Sequence, residues 1–190
     1  MKRLIILIMC VCLLFSSCSK NNDVIDKELS FWDCVFRTDD YVCHSMLKVI
    51  IKSIETKNKD LLISAFSENS KRNCESIEEQ VDTLFNYCSG ELLSLGQFRG
   101  LPNTSTHYHK DELVKKSHIP TYDINTSNGS YRLTFEYIQI DSNNIDNEGL
   151  WSLYVIKAED DTDTTSAYRI TGEYIPGIHT GIVDGVSSGD

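Results

Sequence analysis

Few side chains in this sequence are spaced as reaction chemistry requires. His107 and His109 stand one residue apart, which in a strand puts both rings on one face and gives a two-point grip for a metal ion. No third ligand accompanies them, and exposed loop histidines are the simpler expectation. Glu136 is the obvious acid in the patterned run 131–140, YRLTFEYIQI. It alternates with the apolar set, so it is expected on a solvated strand face. Tyr122, Tyr131, Tyr137 and Tyr154 each join an apolar ring to a hydrogen-bonding tip. They are the candidate ligand-binding side chains, with a place in the core as the competing expectation for each. The sequence holds no nucleophile elbow, zinc-protease helix or phosphate-binding glycine loop, so no catalytic residue, metal or cofactor is assigned.

The chain has seven cysteines. Cys10 and Cys12 lie in an apolar N-terminal run, and Cys18 ends it. Cys34, Cys43, Cys74 and Cys88 remain, enough for two disulfides in any of three connectivities. Free thiols buried as small hydrophobes are the equal alternative, natural for Cys43 and Cys88 on apolar stripes. No pair has the close spacing of a zinc knuckle. The acidic run EDDTDTT lacks the glycine and distal glutamate of a calcium loop.

Residues 1–17 have a basic start (Lys2, Arg3), an apolar run from Leu4 to Phe15 and then two serines, the layout of a secretory signal. As a helix that run spans only ~18 Å against a hydrocarbon core of ~30 Å, so cleavage is expected rather than a permanent span. Phe15-Ser16-Ser17-Cys18 resembles a bacterial lipobox, with Phe15 where leucine is usual. The resemblance implies that Cys18 becomes the acylated first residue and anchors the chain to the membrane. An ordinary secreted protein is the alternative. Residues 18–30 read as a flexible tether, 31–183 as one domain and 184–190 as a disordered tail. The formal charge of −10 argues against nucleic acid, whose phosphates require clustered lysine and arginine.

The elements that must carry these side chains divide into a helical half and a sheet half. Cys43, Leu47, Ile50, Ile51 and Ile54 form one stripe of a helix over 41–55. A shorter helix is expected over 60–66. A third is signalled by Ser76 with Glu79, with Ile77, Val81, Leu84, Phe85 and Cys88 as its stripe and Gly90 past its end. A first strand is expected over 91–99, followed by a polar connection over 100–117. Strands over 119–126 and 130–140 flank Asn128-Gly129, the strongest short-range hairpin signal. In the second, Tyr131, Leu133, Phe135 and Tyr137 should face the core. The run 150–157 is apolar on both faces and should be an interior strand, and a last strand is expected over 168–175, ended by Pro176-Gly177. This predicts an α+β fold, with N-terminal helices on a curved antiparallel sheet.

The order MLKVIIKSIETKNKDLLISAFS, LFNYCSGELLS, a hairpin on NG, EGLWSLYVIK and EYIPGI resembles the DUF5104 family of uncharacterised bacterial lipoproteins, whose fold is similar to the NTF2-like superfamily. The resemblance runs from about Tyr41 to Ile178. It implies a cone-shaped sheet whose open end often holds a pocket, used by relatives for binding and for catalysis. The function expected is non-catalytic binding of a small molecule or peptide by a lipid-anchored extracytoplasmic domain. One alternative is an enzyme of isomerase or hydrolase type using His107, His109 or Glu136. The other is a protein-interaction module, with Ile138 and Ile140 exposed and a homodimer through the sheet face.

Overall fold

The computed structural model describes residues 38–98, 103–161 and 174–181. The expected signal segment, Cys18, the expected tether, Cys34 and the expected tail lie outside them. The chain is α+β. Among the described residues, α1 (Thr38–Thr56), α2 (Lys59–Ala65), α3 (Glu68–Asn73) and α4 (Ile77–Tyr87) precede seven strands of one open sheet. The strands are β1 (Leu92–Phe98), β2 (Asn103–His109), β3 (Glu112–Ile119), β4 (Thr121–Thr126), β5 (Gly129–Asp141), β6 (Gly149–Lys157) and β7 (Gly177–Thr180).

Local signals explain most helix ends. Asn58, Ser67 and Ser76 cap α2, α3 and α4, each side-chain oxygen accepting from a backbone N–H three residues on. Gly90 takes φ +95 just past α4, and a Cβ there would lie 2.9 Å from Asn128 N. Only glycine lets the end of α4 approach the β4–β5 turn so closely. At the end of α1, Lys57 adopts a left-handed φ of 52, and its ammonium donates to Phe85 O at 2.5 Å, near the end of α4. The α1 stripe of Leu47, Ile50, Ile51 and Ile54 packs with Leu62, Phe66, Val81, Leu84 and Phe85 onto Ile124, Leu133, Phe135, Leu153 and Val155.

The seven strands behave as fewer, longer ones. β3 and β4 pair end to end along the same edge of β5, separated at Pro120, whose carbonyl still accepts from Phe135 N. β1 and β2 likewise pair with β4 and β3. The meander is therefore β1/β2, β3/β4, β5, β6, with β7 joined to β6 in parallel. Such breaks and bulges bend a sheet.

Four expectations need correction. The region 100–117 is not a connection, since it contains β2 and most of β3. Lys110 and Asp111, at φ 48 and 67, form the two-residue turn that favours right-twisted hairpins, without the Asn-Gly that usually marks it. The last described strand begins at Gly177, beyond Tyr174 and Ile175, and 168–173 lies outside the described residues. Ile138 is buried at 3% exposure, and Ile140 is half-buried. Glu136 is half-buried rather than solvated. By contrast, β4 and β5 pair as the expected hairpin, but the turn is Ser127-Asn128 rather than Asn128-Gly129, with Thr126 paired to Gly129 at the start of β5. β6 is interior, between β5 and β7.

Candidate functional site

The α1 stripe continues one turn toward its N-terminus as Asp40, Cys43, His44 and Leu47, spaced i, i+3, i+4 and i+7 on one helix face. This extension is polar where the rest is apolar. Cys43 is fully buried and His44 nearly so. From the sheet, Tyr122 on β4 stacks on Phe135 with ring centroids 6.2 Å apart. Tyr137 on β5 is half-buried against the same core. Tyr137, beside a register shift against β6, is less covered than Phe135. Two of the four candidate tyrosines lie near enough to Cys43 for it to act on their hydroxyls electrostatically.

Electrostatics keep these groups protonated. Burial, with Asp40 and Asp39 adding their charge, pushes the Cys43 thiol up to about 12. Burial drives the Tyr122 phenol far above its ordinary value, with Cys43 and Asp40 contributing. Tyr137 is raised by burial, then by Glu148 and Cys43. At neutral pH the three offer an S–H and two O–H groups. A thiol so held is a poor nucleophile, because the thiolate is the reactive form.

His118 completes the polar end from β3. It is fully buried and stands opposite Tyr137. Its Nε2 donates to Gln139 Oε1 at 2.8 Å, which leaves Nδ1 to accept from the Thr104 hydroxyl at 3.1 Å. Both ring nitrogens are engaged, so His118 braces β2, β3 and β5. Lys116 pairs with Asp39 at 2.5 Å, tying the first turn of α1 to β3 with an acid placed favourably at a helix N-terminus.

The other candidates lie elsewhere. Tyr131 faces the core, but its hydroxyl donates to Tyr87 O at 3.1 Å and its ring meets Tyr87 edge-on. It closes the core near the end of α4. Tyr154 is on the opposite face of the sheet, stacked on His179, with Ile175 N donating to its hydroxyl at 2.8 Å. Cys43, Cys74 and Cys88 are free thiols. His107 and His109 are exposed on β2. Among the described residues, no group of three or more His, Cys, Asp or Glu is placed to hold a metal ion, and no helix is long and apolar enough to cross a membrane.

Asp40, His44, His118 and Gln139 carry no motif that marks them in the sequence. The helical spacing of Asp40, Cys43 and His44 was a usable signal. His118 offers none, because it falls between the polar stretch 100–117 and the strand expected over 119–126. In comparison with known proteins, residues 49–158 match the model of a domain of unknown function, DUF5104, a span that includes Tyr122, Tyr137 and His118 and begins after Cys43. No curated protein matches the chain significantly.

Proposed function

The chain belongs to the DUF5104 family, a domain of unknown function, and we propose that it is a non-catalytic binding domain with an NTF2-like cone, holding a small molecule or short peptide. The reading rests on the convergence of Tyr122, Tyr137 and Cys43, protonated hydrogen-bonding groups set in an aromatic and apolar wall. Such a wall with a few placed polar groups is the usual composition of a ligand site. Catalysis would need a group ready to exchange a proton or attack. Cys43 is held as a thiol, His118 is engaged at both nitrogens, and Glu136 lies on the other face of the sheet. The test is extraction of the purified full-length protein and mass spectrometry of what it releases. A compound enriched over a Tyr137→Ala variant of equal stability supports the reading, and identical extracts from the two proteins count against it.

We further propose, from the layout of residues 1–18 alone, that the signal is removed, Cys18 is acylated, and residues 18–30 tether the domain to the extracytoplasmic face of a membrane. Several acyl chains are needed for firm anchoring, since one binds only marginally. Radiolabelled palmitate should enter the wild-type protein and not Cys18→Ala, and the variant should leave the membrane fraction. Equal labelling of both would overturn the assignment.

A further inference from the structure

On the sheet face turned away from the helices, β5, β6 and β7 bring together side chains that the site above does not use. Glu136 on β5 stands opposite Ser152 on β6, and such cross-strand neighbours lie about 5 Å apart at Cβ. Ser152 is fully buried and its hydroxyl has no hydrogen-bond partner. Glu136 forms no hydrogen bond or ion pair with the described residues; burial raises its carboxyl, and Lys115 offsets this in part through space. Two residues along β6, Tyr154 stacks on the His179 imidazole, centroids 4.6 Å apart and planes 21° from parallel. Tyr174 meets Tyr154 edge-on. His179 Nε2 donates to Ile175 O at 3.0 Å, and burial holds the imidazole below its ordinary pKa, so the ring is neutral. Tyr154 is near enough to Glu136 for the carboxylate to act on its phenol.

A buried hydroxyl without a partner is unfavourable, and a half-buried carboxylate with no cation in direct contact adds to that cost. One cationic donor between them relieves both. The neighbouring rings favour the same occupant, because an aromatic face attracts a cation. An anion would meet Glu136, and an apolar ligand would leave both groups unsatisfied. One carboxylate and one hydroxyl are too few oxygens for a calcium ion. We propose that Glu136, Ser152 and the Tyr154–His179 stack form a second site that binds a small organic ammonium. Its N–H groups donate to the Glu136 carboxylate and the Ser152 hydroxyl, and its alkyl part lies against the rings. The chain's charge of −10 favours cations near the surface generally, so the test must separate this site from that background.

The experiment is titration of the full chain, labelled in its tyrosine rings, with ethylammonium chloride, followed by nuclear magnetic resonance. Sodium chloride at equal ionic strength is the control. The expected result is a saturable shift of the Tyr154 resonance with ethylammonium and none with sodium. Glu136→Gln keeps the size of the side chain and should weaken binding about tenfold or more, the worth of a charge-assisted hydrogen bond. Ser152→Ala removes an unsatisfied buried hydroxyl, should fold at least as well, and should weaken binding severalfold. Absence of a saturable shift in the wild type, or equal affinity in Glu136→Gln, overturns the proposal.

Discussion

Replacing His118 separates a bracing role from a reactive one. Its two hydrogen bonds, to Gln139 and Thr104, are each worth about 1 kcal/mol net. His118→Leu keeps an apolar side chain of similar size in a fully buried position, so little cavity cost arises and the loss should be about 2 kcal/mol. Thr104→Val loses one bond and should cost about 1 kcal/mol. The double variant should then cost about 2 kcal/mol rather than 3, because the shared bond is lost only once. Urea unfolding followed by tryptophan fluorescence measures all four corners of the cycle. Strict additivity would mean that Thr104 and His118 do not interact. A His118→Leu protein as stable as the wild type would mean that the imidazole does not hold β2, β3 and β5 together.

Four other outcomes are expected. Lys57→Met should cost about 1 kcal/mol by removing the ammonium from the end of α4, whereas Lys57→Gly should be near neutral, since relief of the left-handed φ offsets the lost contact; thermal unfolding compares them. Gly149→Ala should cost ~2 kcal/mol or more, because φ is +127 and a Cβ would sit 2.9 Å from Ser67 N; denaturant midpoints measure it. Burial would raise the Asp141 carboxyl, but hydrogen bonds from Asn147, Asn144 and Asn143, with Lys115, hold it below its ordinary value. Its stabilising contribution is therefore present above the ordinary carboxylate range and is lost as pH falls through the depressed pKa. Asp141→Asn should be less stable at neutral pH and lose less on acidification, as stability curves against pH would show. Finally, a thiol reagent should modify half-buried Cys74 before Cys43 and Cys88, whose thiols burial pushes up to about 12; peptide mass mapping gives the order.

The sequence was most legible where one physical signal dominated. The α1 stripe, the Ser76 cap and the alternation of Tyr131, Leu133 and Phe135 each follow from burial of one face, and each appears in the structure. It was least legible where local chemistry ran against habit. Lys110-Asp111 turns a hairpin with positive φ in residues that rarely adopt it, which hid β2, β3 and with them His118. Pro176-Gly177 looked like a terminator and instead leads into β7, whose parallel pairing depends on distant partners, including the bond from Ile178 N to Gln80 Oε1. Of the candidate site, Tyr122 and Tyr137 were readable as tyrosines on strands. That they share an end of the core with Cys43, while Tyr131 and Tyr154 do not, follows from register and the bulge beside Tyr137, which sequence periodicity does not encode.

The most direct test of a binding site at the polar end of α1 is a titration of the tyrosine-ring-labelled protein with fractionated cell extract, read by nuclear magnetic resonance. The account predicts at least one fraction that shifts Tyr122 and Tyr137 together, saturably, while Tyr131 stays fixed. Extracts that move Tyr131 or surface tyrosines such as Tyr41 and Tyr108, but leave Tyr122 and Tyr137 unchanged, would contradict it.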